Sequence, residues 1–162
     1  MDPLLRTDRE IINIYNRQAD TVFYICYSFM KNKPEAEDMM QETFLRLISS
    51  GKTFENERHE KAWLIVTASN LCKNALKRHW RKEESIEDNV ALASQVVESD
   101  NSVLEAIFSL PTEYKTVVYM YYYEGYSTEE IAKHLRCPSA TVRTRLARAR
   151  KLLRSMLGGD AK

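Results

Sequence analysis

Apolar residues recur at intervals of three and four along most of the chain, and this spacing limits the possible folds more than any other feature. One face of an α-helix carries residues at that spacing, whereas a β-strand alternates at every second residue. Glycine and proline, which interrupt helices, number only 4 each among 162 residues. A chain of this length suits one ordinary domain or two small ones. The sequence therefore predicts an all-α protein made of small helical domains.

The N-terminal half, residues 8–82, is predicted to hold three or four helices, of which three are long. The first spans about residues 8–31. The second opens at Pro34, because a proline in the first turn loses no hydrogen bond, and it ends at Gly51. The third spans about residues 61–82 and has a strongly basic end.

Composition changes abruptly after this helix. Residues 83–102 contain no Lys, Arg or aromatic residue and are rich in Asp and Glu. Such a stretch indicates an acidic, flexible linker between two domains, and a solvated acidic loop within one domain is the alternative. The predicted organisation is thus a first domain at 8–82, a linker at 83–102 and a second domain at 103–156.

The second domain is predicted to begin with two helices. The apolar face of the first stops at Pro111, which starts a helix that continues through Tyr123 and closes at Gly125. The tyrosines in and after this helix are expected to pack the core while their hydroxyls reach water.

A helix-turn-helix spacing follows. Ser127 and Glu130 form a capping-box pattern that starts a short helix. Ala132 is small at the point where this helix would cross the last one. Ser139 is predicted to cap that last helix, which runs to about Met156.

The last helix is basic and lacks compensating acids. No Asp or Glu occurs between Glu130 and Asp160, so the i,i+4 partners of an ordinary solvated helix are absent. A helix of this kind fits the major groove of DNA, with its N-terminal residues at base edges and its cations on phosphates. A solvated basic helix packed in a bundle is the alternative. The cations are Arg143, Arg145, Arg148, Arg150, Lys151 and Arg154.

The same motif resembles domain four of extracytoplasmic-function (ECF) sigma factors. The family pattern is roughly E-G-x-S-x-x-E-I-A, then C-x-x-x-T-V-x-S-R-x-x-R-A-R, and the chain matches it from Glu124 to Ala132 and from Cys137 to Arg150, with Thr144 in place of serine. The resemblance implies binding to the minus-thirty-five promoter element. It implies that base edges are read around Ser139, Ala140 and Arg143. It implies that Arg145, Arg148 and Lys151 bind phosphates. The full set of implied contact residues is Ser139, Ala140, Thr141, Arg143, Thr144, Arg145, Arg148 and Lys151.

The second helix resembles the family's A-E-D-L-x-Q-E-x-F-L-R-L, from the helix that docks on the polymerase clamp. Asp38, Gln41 and Glu42 lie on one side of this helix and suit basic residues of a partner coiled coil. Leu45 completes the implied polymerase-binding set. A solvated helix start is the alternative explanation for the charges.

The third helix resembles W-L-x-x-I-A-x-N-x-x-x-N, from the family helix that captures single-stranded bases of the minus-ten element. Amides can read a flipped base, and basic and aromatic groups can hold the strand. Trp63 is expected to be core rather than a stacking platform. The preceding loop, residues 52–60, matches the region that shapes the base pocket. The implied minus-ten residues are Asn70, Lys73, Asn74, Lys77, Arg78, Trp80 and Arg81.

Other functional classes fit less well. No nucleophile motif, phosphate-binding glycine loop or H-E-x-x-H occurs, so we expect no enzyme, cofactor or metal. A metal or redox sensor would use Cys72, His79, His134 and Cys137, but no C-x-x-C accompanies them. A stand-alone helix-turn-helix regulator is the main alternative, although it has no use for a base-capturing third helix. A pure interaction bundle leaves the basic last helix unexplained.

Location and partners complete the expectations. The 3 cysteines are far apart, no apolar run is long enough to span a membrane, and no signal peptide is evident. We therefore expect a reduced, cytoplasmic protein. The resemblance implies core RNA polymerase, duplex and opened promoter DNA, and an anti-sigma factor as partners, in a stress or envelope response. The net charge of +1 argues weakly against DNA binding, but the charges are unevenly distributed.

Overall fold

The computed structural model describes residues 8–82 and 102–157. These two ranges are helical and contain no strand, so the all-α prediction is confirmed. The chain divides into two compact units, one containing the first range and the other the second. The predicted linker lies outside the described residues, apart from Ser102, which begins a helix.

The first unit consists of three helices, α1 (Asp8–Met30), α2 (Lys33–Ser50) and α3 (Glu57–Lys82). Helix α1 packs against both others, and α2 also packs against α3. Each helix buries one apolar face against the other two helices, because this packing removes apolar surface from water. The fully buried side chains at this centre include Val22, Cys26, Leu47, Leu64 and Ile65.

The limits of α2 follow from local chemistry, as predicted. Asn32 caps its start, and the Asn32 side chain accepts a hydrogen bond from the Glu35 N–H at 2.9 Å. Pro34 lies in the first turn, where its missing N–H costs nothing. Gly51 ends the helix at φ 67°, a left-handed conformation that glycine adopts without strain.

Helix α3 begins four residues earlier than predicted, at Glu57 instead of Lys61. The Asn56 side chain accepts a hydrogen bond from the His59 N–H at 2.8 Å, and the Asn56 carbonyl accepts one from the Glu60 N–H at 3.1 Å. These bonds start the helix at a capping residue that the sequence interpretation overlooked. The loop between α2 and α3 therefore covers only residues 52–56, and residues 57–60 form the first turn of α3.

The second unit contains α4 (Ser102–Phe108), α5 (Thr112–Val118), α6 (Thr128–Leu135) and α7 (Ser139–Met156). Helix α7 packs against α4, α5 and α6. This packing encloses a second, separate core. Its fully buried side chains include Ile107, Val117, Val118, Met120, Ile131, Val142, Leu146 and Ala149.

A π-helical turn at Tyr119–Tyr123 extends α5, where a regular helix was expected. The Glu124 N–H donates to the Tyr119 carbonyl at 3.1 Å, a five-residue step that defines the wider turn. Gly125 follows at φ 79° and redirects the chain toward α6. Tyr119 is buried as predicted, whereas Tyr122 stays 46% exposed. The π turn thus presents tyrosine at the surface beside α7.

Candidate nucleic-acid and polymerase interfaces

The helix-turn-helix begins with the predicted capping box. The Ser127 hydroxyl accepts from the Glu130 N–H at 3.0 Å, and the Glu130 carboxylate accepts from the Ser127 N–H at 2.8 Å. Helix α6 ends at Arg136, which is left-handed at φ 58°. The Cys137 N–H then donates to the Ala132 carbonyl at 3.1 Å and closes the turn. Both ends of α6 are therefore fixed by hydrogen bonds.

Ser139 does not cap α7, contrary to the prediction. Pro138 occupies the capping position in an extended conformation, and its carbonyl accepts from the Thr141 N–H at 3.0 Å. Ser139 is instead the first helical residue, and its hydroxyl accepts a hydrogen bond from Arg143 Nη1 at 3.2 Å. This bond holds the Arg143 guanidinium over the first turn of α7, the end that would approach base edges.

Helix α7 has one buried and one exposed face. Val142, Leu146 and Ala149 are buried toward the core that also holds Ile131 and Ala132 of α6. The opposite face carries most of the predicted minus-thirty-five set. Ala140, Arg143, Thr144, Arg148 and Lys151 are exposed, and Ser139, Thr141 and Arg145 are half-buried.

One exposed cation of α7 is paired with the π turn. Arg150 donates from Nε to the Tyr122 hydroxyl at 2.7 Å. The bond joins α7 to the π turn, so Arg150 supports the packing of the second unit.

Helix α3 shows a comparable polar face. Asn70, Asn74, Lys77 and Arg78 are exposed and Lys73 is half-buried, whereas Ala68 and Cys72 on the opposite side are buried. Because Asn70 and Asn74 are four residues apart, their amides lie one above the other on the helix. The side chains of Trp80 and Arg81 lie outside the described part of the structure, although their backbone belongs to α3.

An aromatic group stands at the start of this polar face. Trp63 is half-buried, which departs from the expected core position. The centroid of its ring system lies 5.8 Å from the ring centroid of Phe54 in the 52–56 loop. Phe54 also meets the His59 ring edge-on at 5.3 Å. The sequence interpretation missed Phe54, whose only signal is an aromatic residue within a polar stretch.

A cavity of about 380 Å³ opens between α1 and the 52–56 loop. Asn70 and Asn74 do not line it, so the amide face and the cavity are two separate features of the first unit. The lining residues are Glu10, Asn13, Ile14, Arg17, Thr53, Phe54, Asn56, Glu57 and Glu60.

The predicted polymerase-binding residues form a single ridge on α2. Asp38, Gln41 and Glu42 are exposed, and Leu45 is 58% exposed. The opposite side of α2 is buried through Phe44 and other residues. The ridge thus combines acceptors with an accessible apolar side chain.

The cysteines bear on the alternative of a metal or redox sensor. Cys26 and Cys72 are buried, Cys137 is half-buried, and all three are free thiols. Within residues 8–82 and 102–157, no three His, Cys, Asp or Glu side chains are grouped to hold a metal ion. No helix in the same two ranges is both long and apolar enough to cross a membrane.

Comparison with known proteins decides the family. The Sigma-70 region 2 model matches residues 14–82, and the Sigma-70 region 4 model matches residues 100–153. The ECF RNA polymerase sigma factor SigW of Bacillus subtilis is 30% identical, over 91% of this chain and 87% of SigW. The chain belongs to the ECF family of RNA polymerase sigma factors. The B. subtilis RNA polymerase sigma factor SigV is 33% identical to this sigma factor, over 83% of this chain and 84% of SigV.

Solved structures share the fold of this sigma factor. The sigma factor RpoE of Bartonella quintana, crystallised with the anti-sigma factor NepR, has a TM-score of 0.69 at 21% identity and covers 94% of this chain and 97% of its own. CnrH, solved with the cytosolic domain of CnrY, has a TM-score of 0.65 at 22% identity and covers 96% of this chain and 92% of its own.

Membership of the family establishes the general activity. The protein is a sigma factor that directs transcription initiation, and sigma factors are not an enzyme family. The resemblance inferred from the sequence is confirmed, and the stand-alone regulator is excluded.

Proposed function

We propose that this sigma factor docks on core RNA polymerase through the α2 ridge and bridges two promoter elements with its two units. Residues 8–82 bind the polymerase and the minus-ten element, residues 103–156 bind the minus-thirty-five element, and residues 83–102 link them. The observation that carries this proposal is the exposed amide and cation face of α3, because a protein that binds only duplex DNA has no use for it.

At the minus-thirty-five element, α7 enters the major groove. Arg143, held over the first turn by Ser139, reads a base edge together with Ala140. Arg148 and Lys151 are exposed further along the helix, and they bind phosphates with Arg145. The phosphate contacts supply affinity that falls as salt rises, and Arg143 supplies sequence preference.

At the minus-ten element, α3 captures bases of the opened strand. Asn70 and Asn74 present donors and acceptors suited to a base edge, and Lys73, Lys77 and Arg78 attract the backbone. Trp80 and Arg81 continue this basic segment. The free energy of binding the captured bases drives strand opening, so the protein itself catalyses no reaction and requires no cofactor or metal.

The α2 ridge supplies the contact with polymerase. Asp38, Gln41 and Glu42 accept hydrogen bonds from basic groups of a partner helix, and Leu45 is covered in the complex. The exposure of Leu45 supports this role, since burying it on binding removes apolar surface from water.

An anti-sigma factor is a further partner. RpoE was solved with the anti-sigma factor NepR bound, and CnrH was solved with the cytosolic domain of CnrY. These two complexes support a similar mode of control here. We place the protein in the cytoplasm, where polymerase and promoter DNA are found, and in a stress or envelope response.

Association with sigma-free bacterial core polymerase tests the proposal first. The purified protein is titrated into core, and the holoenzyme is then given a library of promoters. We expect saturable binding and initiation at a defined pair of elements. Tight binding to duplex DNA without any affinity for core would contradict the proposal.

A further inference from the structure

A partly buried network of hydrogen bonds joins α1 to the first turn of α3, with Gln18 and Glu60 buried and Arg17 exposed. Arg17 donates from Nε and Nη2 to the two carboxylate oxygens of Glu60, each at 3.0 Å. Gln18 donates from Nε2 to Glu60 Oε1 at 2.9 Å. Glu60 is only 4% exposed and Gln18 only 2%. The hydrogen bonds to Glu60, aided by the charges of Glu60 and Glu57, raise the pKa of Arg17 against the effect of desolvation.

Stability alone is a poor reason for such a network. Burying the Glu60 carboxylate has a desolvation cost that its partners offset at best, and apolar residues of similar volume often stabilise a fold equally well. Gln18 Oε1 adds a further cost, because it is buried without a hydrogen-bond partner in the described structure. A bidentate guanidinium–carboxylate pair, however, fixes both distance and orientation between two elements. The network is therefore better suited to setting geometry than to adding stability.

The position of the network shows what it orients. Glu60 donates its N–H to the carbonyl of Asn56, the last residue of the 52–56 loop, at 3.1 Å. Arg17, Glu60 and the loop residue Phe54 line the same cavity. Trp63, one turn after Glu60, packs near Phe54, with their ring centroids 5.8 Å apart. A shift of Glu60 relative to α1 would thus move the loop and the aromatic group at the start of the α3 face.

We propose that Arg17, Gln18 and Glu60 are positioning residues for minus-ten recognition, which hold the 52–56 loop and the start of α3 against α1 in the base-capturing arrangement. This inference rests on the proposed role of α3. The three side chains act through the loop and the helix and do not themselves touch DNA. The Glu60 carboxylate accepts from Arg17 and Gln18, and Arg17 Nε also lies 3.5 Å from Glu57 Oε2.

The test replaces the whole network with apolar residues in the full chain. Removing Arg17 alone would strand a buried carboxylate and risk unfolding, whereas Arg17→Met, Gln18→Leu and Glu60→Leu together keep the volume. Arg9→Met, on the exposed start of α1, is the matched control. The free sigma variants are compared for affinity to core polymerase. Their holoenzymes are compared for affinity to a minus-thirty-five duplex, affinity to a single-stranded minus-ten oligonucleotide, and the rate of strand opening followed by 2-aminopurine fluorescence.

We expect the triple variant to melt no lower than the unmodified protein and to keep its affinity for core and for the duplex. Its affinity for the minus-ten strand and its opening rate should fall about tenfold, the effect of losing about one hydrogen bond between the displaced α3 face and the strand. A merely structural network would leave both values unchanged once the fold is retained, and that result would overturn the proposal.

A second variant covers the case in which the triple variant fails to fold. Glu60→Gln keeps the shape and the bond from Gln18 but weakens the pairing with Arg17. Reduced strand affinity with unchanged core affinity supports the positioning role, and unchanged strand affinity overturns it. Failure of the unmodified holoenzyme to capture the strand would instead contradict the proposed role of α3 itself, and with it this inference.

Discussion

At the scale of single residues, α7 separates cations that serve different purposes. Arg143 is tied to Ser139 at the helix start, Arg150 to Tyr122 of the π turn, and Lys151 is exposed. In the proposed function the first reads a base and the third binds a phosphate, whereas the second joins α7 to the π turn.

The division between base reading and phosphate binding can be measured. Arg143→Ala should cost about 1–3 kcal/mol of binding free energy at one position of the minus-thirty-five element and relax the preference there. Lys151→Ala should weaken binding to every sequence. It should also reduce the slope of log K against log[salt] by about one. Titrations of the holoenzyme with single-substitution duplexes at several salt concentrations measure both effects. Equal weakening of all duplexes by Arg143→Ala would assign that residue to the phosphates.

At the scale of elements, short-range hydrogen bonds determine where helices begin. The Ser127–Glu130 box satisfies two N–H groups at the start of α6 that would otherwise lack partners. The side chains of Asn32 and Asn56 each accept a hydrogen bond from one N–H group at the start of α2 and α3, respectively. These caps set the positions from which the proposed contact faces project.

Loss of the capping box should destabilise the second unit. Ser127→Ala removes one of the two bonds and is expected to lower the free energy of unfolding by about 0.5–2 kcal/mol. Urea unfolding followed by helical circular dichroism measures the change, with Ser155→Ala in the exposed last turn of α7 as the control. A difference of less than about 0.3 kcal/mol between the two variants would show that the box is dispensable.

The α2 ridge allows a test of polymerase binding that does not disturb the fold. Asp38 is exposed, so Asp38→Lys should leave the melting temperature nearly unchanged. Reversing its charge opposite a basic partner should abolish binding to core polymerase. Asp20→Lys, the same change at an exposed position of α1, is the control in a core-binding titration. Undiminished affinity of the Asp38 variant would remove α2 from the interface.

At the scale of the whole molecule, two separate cores carry two proposed DNA contacts on one chain. A promoter must then present both elements at a spacing that one molecule can reach. Selection therefore combines geometry with sequence, and the linked units gain affinity only where both sites can be occupied together.

Promoter spacing supplies the corresponding prediction. Inserting about five base pairs between the two elements rotates one element about the DNA axis by roughly half a turn, because a full turn has ~10 base pairs. We expect transcription to fall sharply while affinity for each isolated element stays the same. Run-off transcription compared with binding to the separate elements measures the difference. Full activity on the altered promoter would mean that the two contacts are independent.

Much of the fold was predictable because its signals are local. Helical periodicity, Pro34, Gly51 and the Ser127–Glu130 box act within a few residues, so they can be found without knowing what packs nearby. The family motifs likewise identified a sigma factor. At Asn56 and Pro138 the residue that caps the helix was misjudged, because several polar residues or prolines near a boundary compete for that position.

The sequence by itself thus determined the helical class, most helix limits and the family, since these depend on periodicity and on contacts between near neighbours. Only the tertiary structure decided how α1 meets α3, because Arg17 and Glu60 are 43 residues apart. The same holds for the bond between Arg150 and Tyr122, 28 residues apart, and for the π turn that presents that tyrosine. Such pairs form only where packing brings distant segments together, and no local pattern specifies which partners will meet.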